Sequence, residues 1–112
     1  MKKILAPIYS WDSTLKNLIS NINNILPVYS EDIKFTNRKA GRYYNGFDLD
    51  ALCRYETLAS MNVSMGDYKS KAIDFIDKFI DIFNTNDIDT IISWNPVLSF
   101  RKIPIILAKQ KG

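Results

Sequence analysis

The chain has 112 residues, of which 46% are hydrophobic and 24% charged, a composition typical of a folded domain and unlike that of a disordered chain. Its formal net charge of +3 is too small to predict nucleic-acid binding by itself. The chain has no histidine and one cysteine, Cys53, which excludes Ser-His and Cys-His nucleophile pairs, imidazole and thiolate metal sites and an intrachain disulfide. We therefore expect no cofactor or metal, a buried Cys53, and carboxylates as the groups that carry any acid–base chemistry.

The first third of the chain predicts a strand, a helix and a second strand. The apolar run at residues 3–8 is typical of a buried strand and is too short for a signal peptide. Leucine and isoleucine then recur at helical spacing over residues 15–26, and Pro27 is expected to end this helix. Alternation of apolar and polar side chains in residues 32–37 predicts a half-buried second strand.

The rest of the chain predicts three helices and one strand. Asp48 can cap a helix over residues 49–60, and the wide apolar face of residues 68–83 predicts a long helix. Residues 88–94 are predicted to form a strand. Pro104 fits best in the first turn of a helix, so we expect the last helix to begin one or two residues before it, after an irregular loop.

The element order β-α-β-α-α-β-α predicts an α/β fold, in which residues 1–112 form one Rossmann-like domain with a parallel sheet and flanking helices. Three strands leave sheet edges that must be covered, since typical sheets hold about 5–6 strands. The aliphatic stretch of the last helix would usually bury against more than one small sheet. These features favour an incomplete, truncated domain over one that self-associates.

The segment SWNPVLSFR is the first candidate for a site, because open α/β sheets bind ligands beyond the carboxyl ends of their strands. Asn95 is expected at the tip of the last strand. Ser99 can cap the following helix, whose amides favour anions, and Arg101 can grip a carboxylate or phosphate. The structural alternative is that Asn95 forms the turn and Ser99 only caps the helix.

Two further segments carry charge. Residues 38–44 are basic and rich in tyrosine, so they could contact phosphates or stack on a base or sugar ring. The glycine spacing of a nucleotide-binding loop is missing there, and a solvated basic loop is the alternative. Asp50 and Arg54, four residues apart, predict a surface ion pair on one helix.

Several stretches of residues 45–112 together carry a family resemblance. Aspartate–leucine followed by arginine–tyrosine precedes the long helix, and a strand tip with tryptophan and asparagine follows it. A loop arginine and an alanine–lysine pair before glycine complete the pattern. The positions are Asp48, Leu49, Arg54, Tyr55, Trp94, Asn95, Arg101, Ala108, Lys109 and Gly112. This pattern resembles the N-terminal portion of the capsule polysaccharide biosynthesis glycosyltransferases, the bacterial β-Kdo transferases.

The resemblance implies a GT-B enzyme, in which two Rossmann-like domains face each other across a cleft and Kdo is transferred from CMP-Kdo with inversion. It implies that this chain is the acceptor-side portion, with Arg54, Asn95 and Arg101 lining the acceptor side of the cleft. No catalytic residue is assigned within residues 1–112, so the chain alone is expected to be inactive. The implied partners are a nucleotide-sugar donor and a glycolipid or saccharide acceptor, but no nucleic acid. The implied location is cytoplasmic, with peripheral association at the inner face of the membrane.

The alternative is a small, complete α/β protein that serves binding or interaction. Such a protein would hide its sheet edges and its last helix in a homo-oligomer. It would use the basic segment 38–44 to bind an anionic ligand.

Overall fold

The computed structural model of the chain describes residues 2–9, 11, 13–59, 64–92 and 98–111. The elements in chain order are β1 (Lys2–Ile8), α1 (Ser13–Ile19), β2 (Ile25–Tyr29), a 3-10 helix (Ser30–Asp32), β3 (Tyr43–Tyr44), β4 (Phe47–Asp48), α2 (Leu49–Leu52), α3 (Arg54–Ala59), α4 (Met65–Thr85), β5 (Asp87–Ile91) and α5 (Ser99–Lys111). Together they form an α/β domain with a three-stranded parallel sheet flanked by helices, which confirms the predicted Rossmann-like class.

The sheet has β1 at its centre, between β2 on one side and β5 on the other. The chain therefore moves from β1 to one edge, then returns past β1 to reach the opposite edge. Open α/β sheets bind their ligands beyond the carboxyl ends of the strands, where the strand order reverses in this way. The topology thus directs attention to the carboxyl ends of β1 and its neighbours.

The position of the second strand was predicted wrongly. β2 spans Ile25–Tyr29, a stretch that the helical spacing had assigned to the first helix, and α1 ends at Ile19. The strand tolerates Pro27 because the Pro27 nitrogen does not face β1. Ile4 N–H donates to the Asn24 carbonyl at 2.8 Å, so the backbone of Asn24 faces β1. Alternate residues of a strand face the same neighbour, so the Pro27 nitrogen points away from β1 and no ladder hydrogen bond is lost there.

Residues 33–42 form no strand, contrary to the strand predicted at 32–37. They lead instead into a small antiparallel hairpin of β3 and β4. Asn45 and Gly46 form its turn, both with positive φ angles of 48° and 85°. Asparagine–glycine is the pair that such a two-residue turn favours, because glycine has no side chain to oppose a positive φ.

The two faces of the sheet bury different clusters of apolar side chains. On one face, α1 packs Leu15 and Ile19 against Ala6 and Ile8 of β1. On the other face, Leu5 of β1 meets α4 and α5 in a larger cluster. Members of this cluster from the two helices include Ala72, Ile73, Phe75, Ile76, Phe79, Phe100, Ile103 and Leu107. Alternation of side chains along β1 places its apolar residues on both faces.

The long helix over residues 68–83 is confirmed as α4, which begins at Met65. The Ser64 side chain caps it and accepts a hydrogen bond from the Asp67 amide at 3.2 Å. The predicted helix over residues 49–60 is instead two short helices, α2 and α3, separated at Cys53. Asp48 caps α2 as predicted, and Cys53 is buried as predicted.

The last helix begins earlier than predicted. α5 starts at Ser99, so Pro104 lies in its second turn and residues 99–102 are helical rather than a loop. Phe100, Ile103 and Pro104 are fully buried, and this packing offsets the hydrogen bond that proline cannot make. The tip of the predicted strand 88–94 lies outside the described residues, which show β5 over Asp87–Ile91. Among the described residues, no helix combines the length and the apolar character that crossing a membrane requires.

Candidate functional site

A cleft of about 480 Å³ lies beyond the carboxyl ends of β1 and β2. Its volume is within the roughly 300–1,000 Å³ that small-molecule sites occupy. Residues after β1 and β2 form one part of its wall, and α3, α4 and the residue before α5 form the rest. The lining residues are Tyr9, Trp11, Ser30, Glu31, Phe35, Glu56, Tyr68, Lys71, Phe75 and Leu98.

Two stacked aromatic rings stand where β1 ends. The centroids of the Tyr9 and Trp11 rings are 4.3 Å apart and their planes differ by 9°. Tyr9 is buried, and its ring also meets Phe100 edge-on at 5.1 Å and the Arg101 guanidinium at 4.8 Å. Trp11 is 65% exposed. The buried tyrosine therefore supports a tryptophan whose surface remains open to a ligand.

Glu56 of α3 joins the cleft to the start of α5. One carboxylate oxygen accepts a hydrogen bond from the Ser99 amide at 2.7 Å, and the other accepts one from the Ser99 hydroxyl at 3.0 Å. Ser99 is the first residue of α5, where the helix dipole favours a negative charge. The sequence predicted that the start of this helix would favour an anion, and the Glu56 carboxylate occupies that position.

Burial raises the pKa of Glu56, although its hydrogen bonds with Ser99 and the charges of Lys102 and Lys71 act in the opposite direction. The side chain is half-buried and lines the cleft. A carboxylate can accept about four hydrogen bonds, so two bonds with Ser99 leave capacity for a further donor. Glu56 is therefore the polar group of the cleft that is best suited to bind a ligand hydroxyl.

Phe35 and Lys71 form another part of the cleft wall. The Lys71 ammonium lies 5.3 Å from the centre of the Phe35 ring, within the range of a cation–π contact. Phe35 meets Phe75 of α4 edge-on at 5.5 Å. This part of the wall combines apolar surface with one positive charge.

The residues that follow Phe35 are tied to α4 by Asp74. Its carboxylate accepts hydrogen bonds from the Thr36 amide at 2.9 Å, the Thr36 hydroxyl at 2.8 Å and the Arg38 guanidinium at 2.9 Å. Burial by itself raises the pKa of Asp74, but the hydrogen bonds from Thr36 and Arg38 outweigh it and hold the pKa below its ordinary value. Arg38 also pairs with Asp77 at 2.7 Å. These contacts fix the segment that carries Phe35.

The three residues predicted to line the acceptor side have different surroundings. Arg54 is exposed on α3 and is not part of the cleft lining. Its predicted partner Asp50 pairs instead with Lys69 at 2.7 Å, because the break at Cys53 ends the shared helix. Arg101 is buried in α5 and meets the cleft through Tyr9. Asn95 lies outside the described residues.

The basic segment 38–44 is engaged within the domain. Arg38 pairs with Asp74 and Asp77, while Arg42 pairs with Asp48 at 3.3 Å. Each arginine also lies over a neighbouring tyrosine ring. An anionic ligand would have to compete with these carboxylates for the two arginines.

Sequence reasoning missed Tyr9, Trp11 and Glu56. The rule that ligands bind beyond strand carboxyl ends was applied to the last strand only. Applied to β1, it would have indicated the two aromatic residues. The described residues contain no group of three or more acidic, histidine or cysteine side chains that could hold a metal ion.

Comparison with protein-family models, with curated proteins and with solved structures finds no significant match to this chain. The geometry of the cleft is therefore the main guide to its function.

Proposed function

We propose that this chain binds a saccharide in the cleft, as the acceptor-binding part of a glycosyltransferase of surface polysaccharide biosynthesis. The observation that carries the proposal is the presence of the open Trp11 ring and the Glu56 carboxylate in one cleft. A sugar ring has an apolar face of C–H groups and a rim of hydroxyls. An aromatic side chain can pack against the face, and a carboxylate can accept charge-assisted hydrogen bonds from the rim.

The charges of the cleft favour a hydroxyl-rich ligand over a phosphate. Glu31 and Glu56 both line it, and among the described lining residues Lys71 is the one cation. The start of α5, which would otherwise favour a phosphate, is occupied by Glu56. A phosphate placed there would meet this carboxylate, whereas a hydroxyl would donate to it.

The transferase part of the proposal rests on the resemblance of residues 45–112 to the β-Kdo transferases. In such an enzyme, the acceptor would lie against Trp11 and Glu56 at the carboxyl end of the sheet. Lys71 would suit an acceptor that carries a carboxylate, as Kdo does. Binding of CMP-Kdo and the catalytic base would be supplied by elements other than the described cleft residues.

The fluorescence of Trp11 provides a direct test. The chain has two tryptophans, so a Trp94→Phe background leaves Trp11 as the single reporter. We expect a saturable change in its emission when the methyl glycoside of Kdo is added, and a weaker response to methyl glucoside, which lacks the carboxylate. Glu56→Gln is expected to weaken binding about tenfold, because a hydrogen bond with a charged partner contributes roughly 1.5 kcal/mol or more.

Calorimetric titration extends the test to Trp11→Ala, which is expected to abolish detectable binding. Tyr43→Ala is the matched control, since Tyr43 is 67% exposed on β3 and does not line the cleft. This control should bind as the parent does. No saturable response to either glycoside would contradict the proposal, and so would equal affinities in the Trp11→Ala and Tyr43→Ala variants.

A further inference from the structure

The first turn of α5 contacts both sides of the saccharide cleft from below. Ser99 donates two hydrogen bonds to the Glu56 carboxylate, at 2.7 and 3.0 Å. Arg101 lies over the ring of Tyr9, the residue on which Trp11 stacks. Ser99 and Arg101 are buried, with 1% and 4% of their surface exposed, and neither lines the cleft. This turn therefore acts on the two groups proposed to bind the sugar without itself facing the ligand.

Tyr9 links the buried arginine to the exposed tryptophan. The Arg101 guanidinium lies 4.8 Å from the centre of the Tyr9 ring. The Trp11 ring lies 4.3 Å from the same centre, and its plane differs by 9°. Phe100, which is fully buried, meets the Tyr9 ring edge-on at 5.1 Å. The position of the exposed Trp11 ring thus depends on a tyrosine that two adjacent buried residues of α5 contact.

The presence of an arginine in this turn is unexpected on general grounds. The start of a helix favours negative charge, and Arg101 is the third residue of α5. Burial of an ionised side chain is also unfavourable unless other contacts compensate for it. A guanidinium is a planar cation that stacks on aromatic rings, and this attraction is stronger where water is excluded. The contact with Tyr9 contributes to the compensation in a way that an apolar side chain could not.

We infer that Arg101 is a positioning residue for Trp11 and acts through Tyr9. The inference rests on the proposed saccharide site, in which a sugar ring packs against Trp11. An aromatic ring that is already ordered loses less conformational entropy when a ligand binds, and affinity rises accordingly. Arg101 therefore contributes to saccharide affinity without touching the saccharide.

The emission of Trp11 in the Trp94→Phe background tests this role, first without ligand. Arg101→Met is expected to lower the anisotropy of the emission, because the Trp11 ring gains freedom when Tyr9 is less firmly held. The same variant is expected to bind the methyl glycoside of Kdo about fivefold more weakly. Lys109→Met is the matched control, because Lys109 is a cation exposed on the same helix and does not line the cleft. It should change neither quantity.

A double-mutant cycle tests whether the effect passes through Tyr9. Tyr9→Leu removes the ring, so adding Arg101→Met to it should lower the anisotropy of Trp11 no further. Arg101→Lys keeps the charge but lacks the planar group, and is expected to have an effect between those of the parent and Arg101→Met. Far-ultraviolet circular dichroism verifies the helical content of each variant. If Arg101→Met does not fold, Arg101→Lys takes its place in the cycle.

Unchanged Trp11 anisotropy in the folded Arg101 variants would overturn the inference. Equal losses of anisotropy with and without the Tyr9 ring would overturn it as well, because Arg101 would then not act through Tyr9. Failure of the saccharide site is distinguishable from either result. In that case the parent chain would not respond to the glycoside, while the anisotropy without ligand would still depend on Arg101 and support its positioning of Trp11.

Discussion

Asp74 and Glu56 both hold distant parts of the chain together, yet their pKa values shift in opposite directions. Asp74 accepts two hydrogen bonds from Thr36 and one from the Arg38 guanidinium. Glu56 accepts two from Ser99, whose donors are uncharged. Burial favours the protonated form of both groups. At Asp74 the hydrogen bonds from Thr36 and Arg38 outweigh burial and lower the pKa, whereas at Glu56 the hydrogen bonds from Ser99 do not outweigh it.

The comparison separates a carboxylate that stabilises the fold from one that is available to a ligand. The bonding capacity of Asp74 is largely used by the segment after Phe35, and the residue is 6% exposed. Glu56 is half-buried, lines the cleft and has less stabilisation of its charge from the protein. A hydroxyl donor from a bound saccharide would add that stabilisation. A half-buried carboxylate that lines a cleft and has a raised pKa is a candidate for a functional site.

The largest expected effect is on stability, from Asp74→Asn. The substitution removes one of the two carboxylates that pair with Arg38 and replaces one acceptor oxygen with a donor that faces the Thr36 donors. We expect the free energy of unfolding in urea to fall by roughly 2–3 kcal/mol. Asp81→Asn is the matched control, since Asp81 is exposed on the same helix, and it should change stability by no more than about 0.5 kcal/mol. If the two substitutions lowered the free energy of unfolding equally, the proposed role of Asp74 in stabilising the fold would be contradicted.

A smaller effect is expected in the pH dependence of stability, with opposite signs for the two groups. Because the pKa of Asp74 is lowered in the folded state, its ionised carboxylate stabilises the fold at pH values above its ordinary pKa of 3.8. This stabilisation is lost as the pH falls through the pKa of the folded state. Because the pKa of Glu56 is raised in the folded state, its protonated carboxyl stabilises the fold at pH values below its ordinary pKa of 4.5. This stabilisation is lost as the pH rises through the pKa of the folded state.

Urea unfolding at a series of pH values checks both signs. The stability advantage of the parent chain over Asp74→Asn should shrink as the solution becomes more acidic than 3.8. Relative to Glu56→Gln, the parent chain should instead lose stability as pH rises from 4.5. Dependences of the same sign would mean that the two carboxylates do not differ in the way described.

Much of the fold follows from local sequence patterns. α4 was recognised because its apolar face keeps the helical period over many residues, and β1 was recognised because its apolar residues form a short continuous run. β2 was missed because its isoleucine and leucine continue the helical spacing of α1, and Pro27 was interpreted as a helix stop. Only its position at the sheet edge shows why proline is tolerated, and sheet position is not a local property.

The candidate site was harder to predict because its parts come together from distant segments. Ser99 was expected to attract an external anion, but Glu56, 43 residues away in sequence, fills that position. No periodicity links two residues so far apart. The hairpin of β3 and β4 is different, since the pair Asn45-Gly46 is a local turn signal, and the segment was predicted to be a turn-rich loop rather than a hairpin.

The most direct test of the saccharide-binding account is carbon NMR of the side-chain carboxyls, with aspartate and glutamate labelled, during titration with the methyl glycoside of Kdo. The account expects the Glu56 resonance to move saturably, with the same midpoint as the Trp11 emission, while the Asp74 resonance stays unchanged. A Glu56 resonance that does not respond at the highest glycoside concentration would contradict the proposed saccharide site.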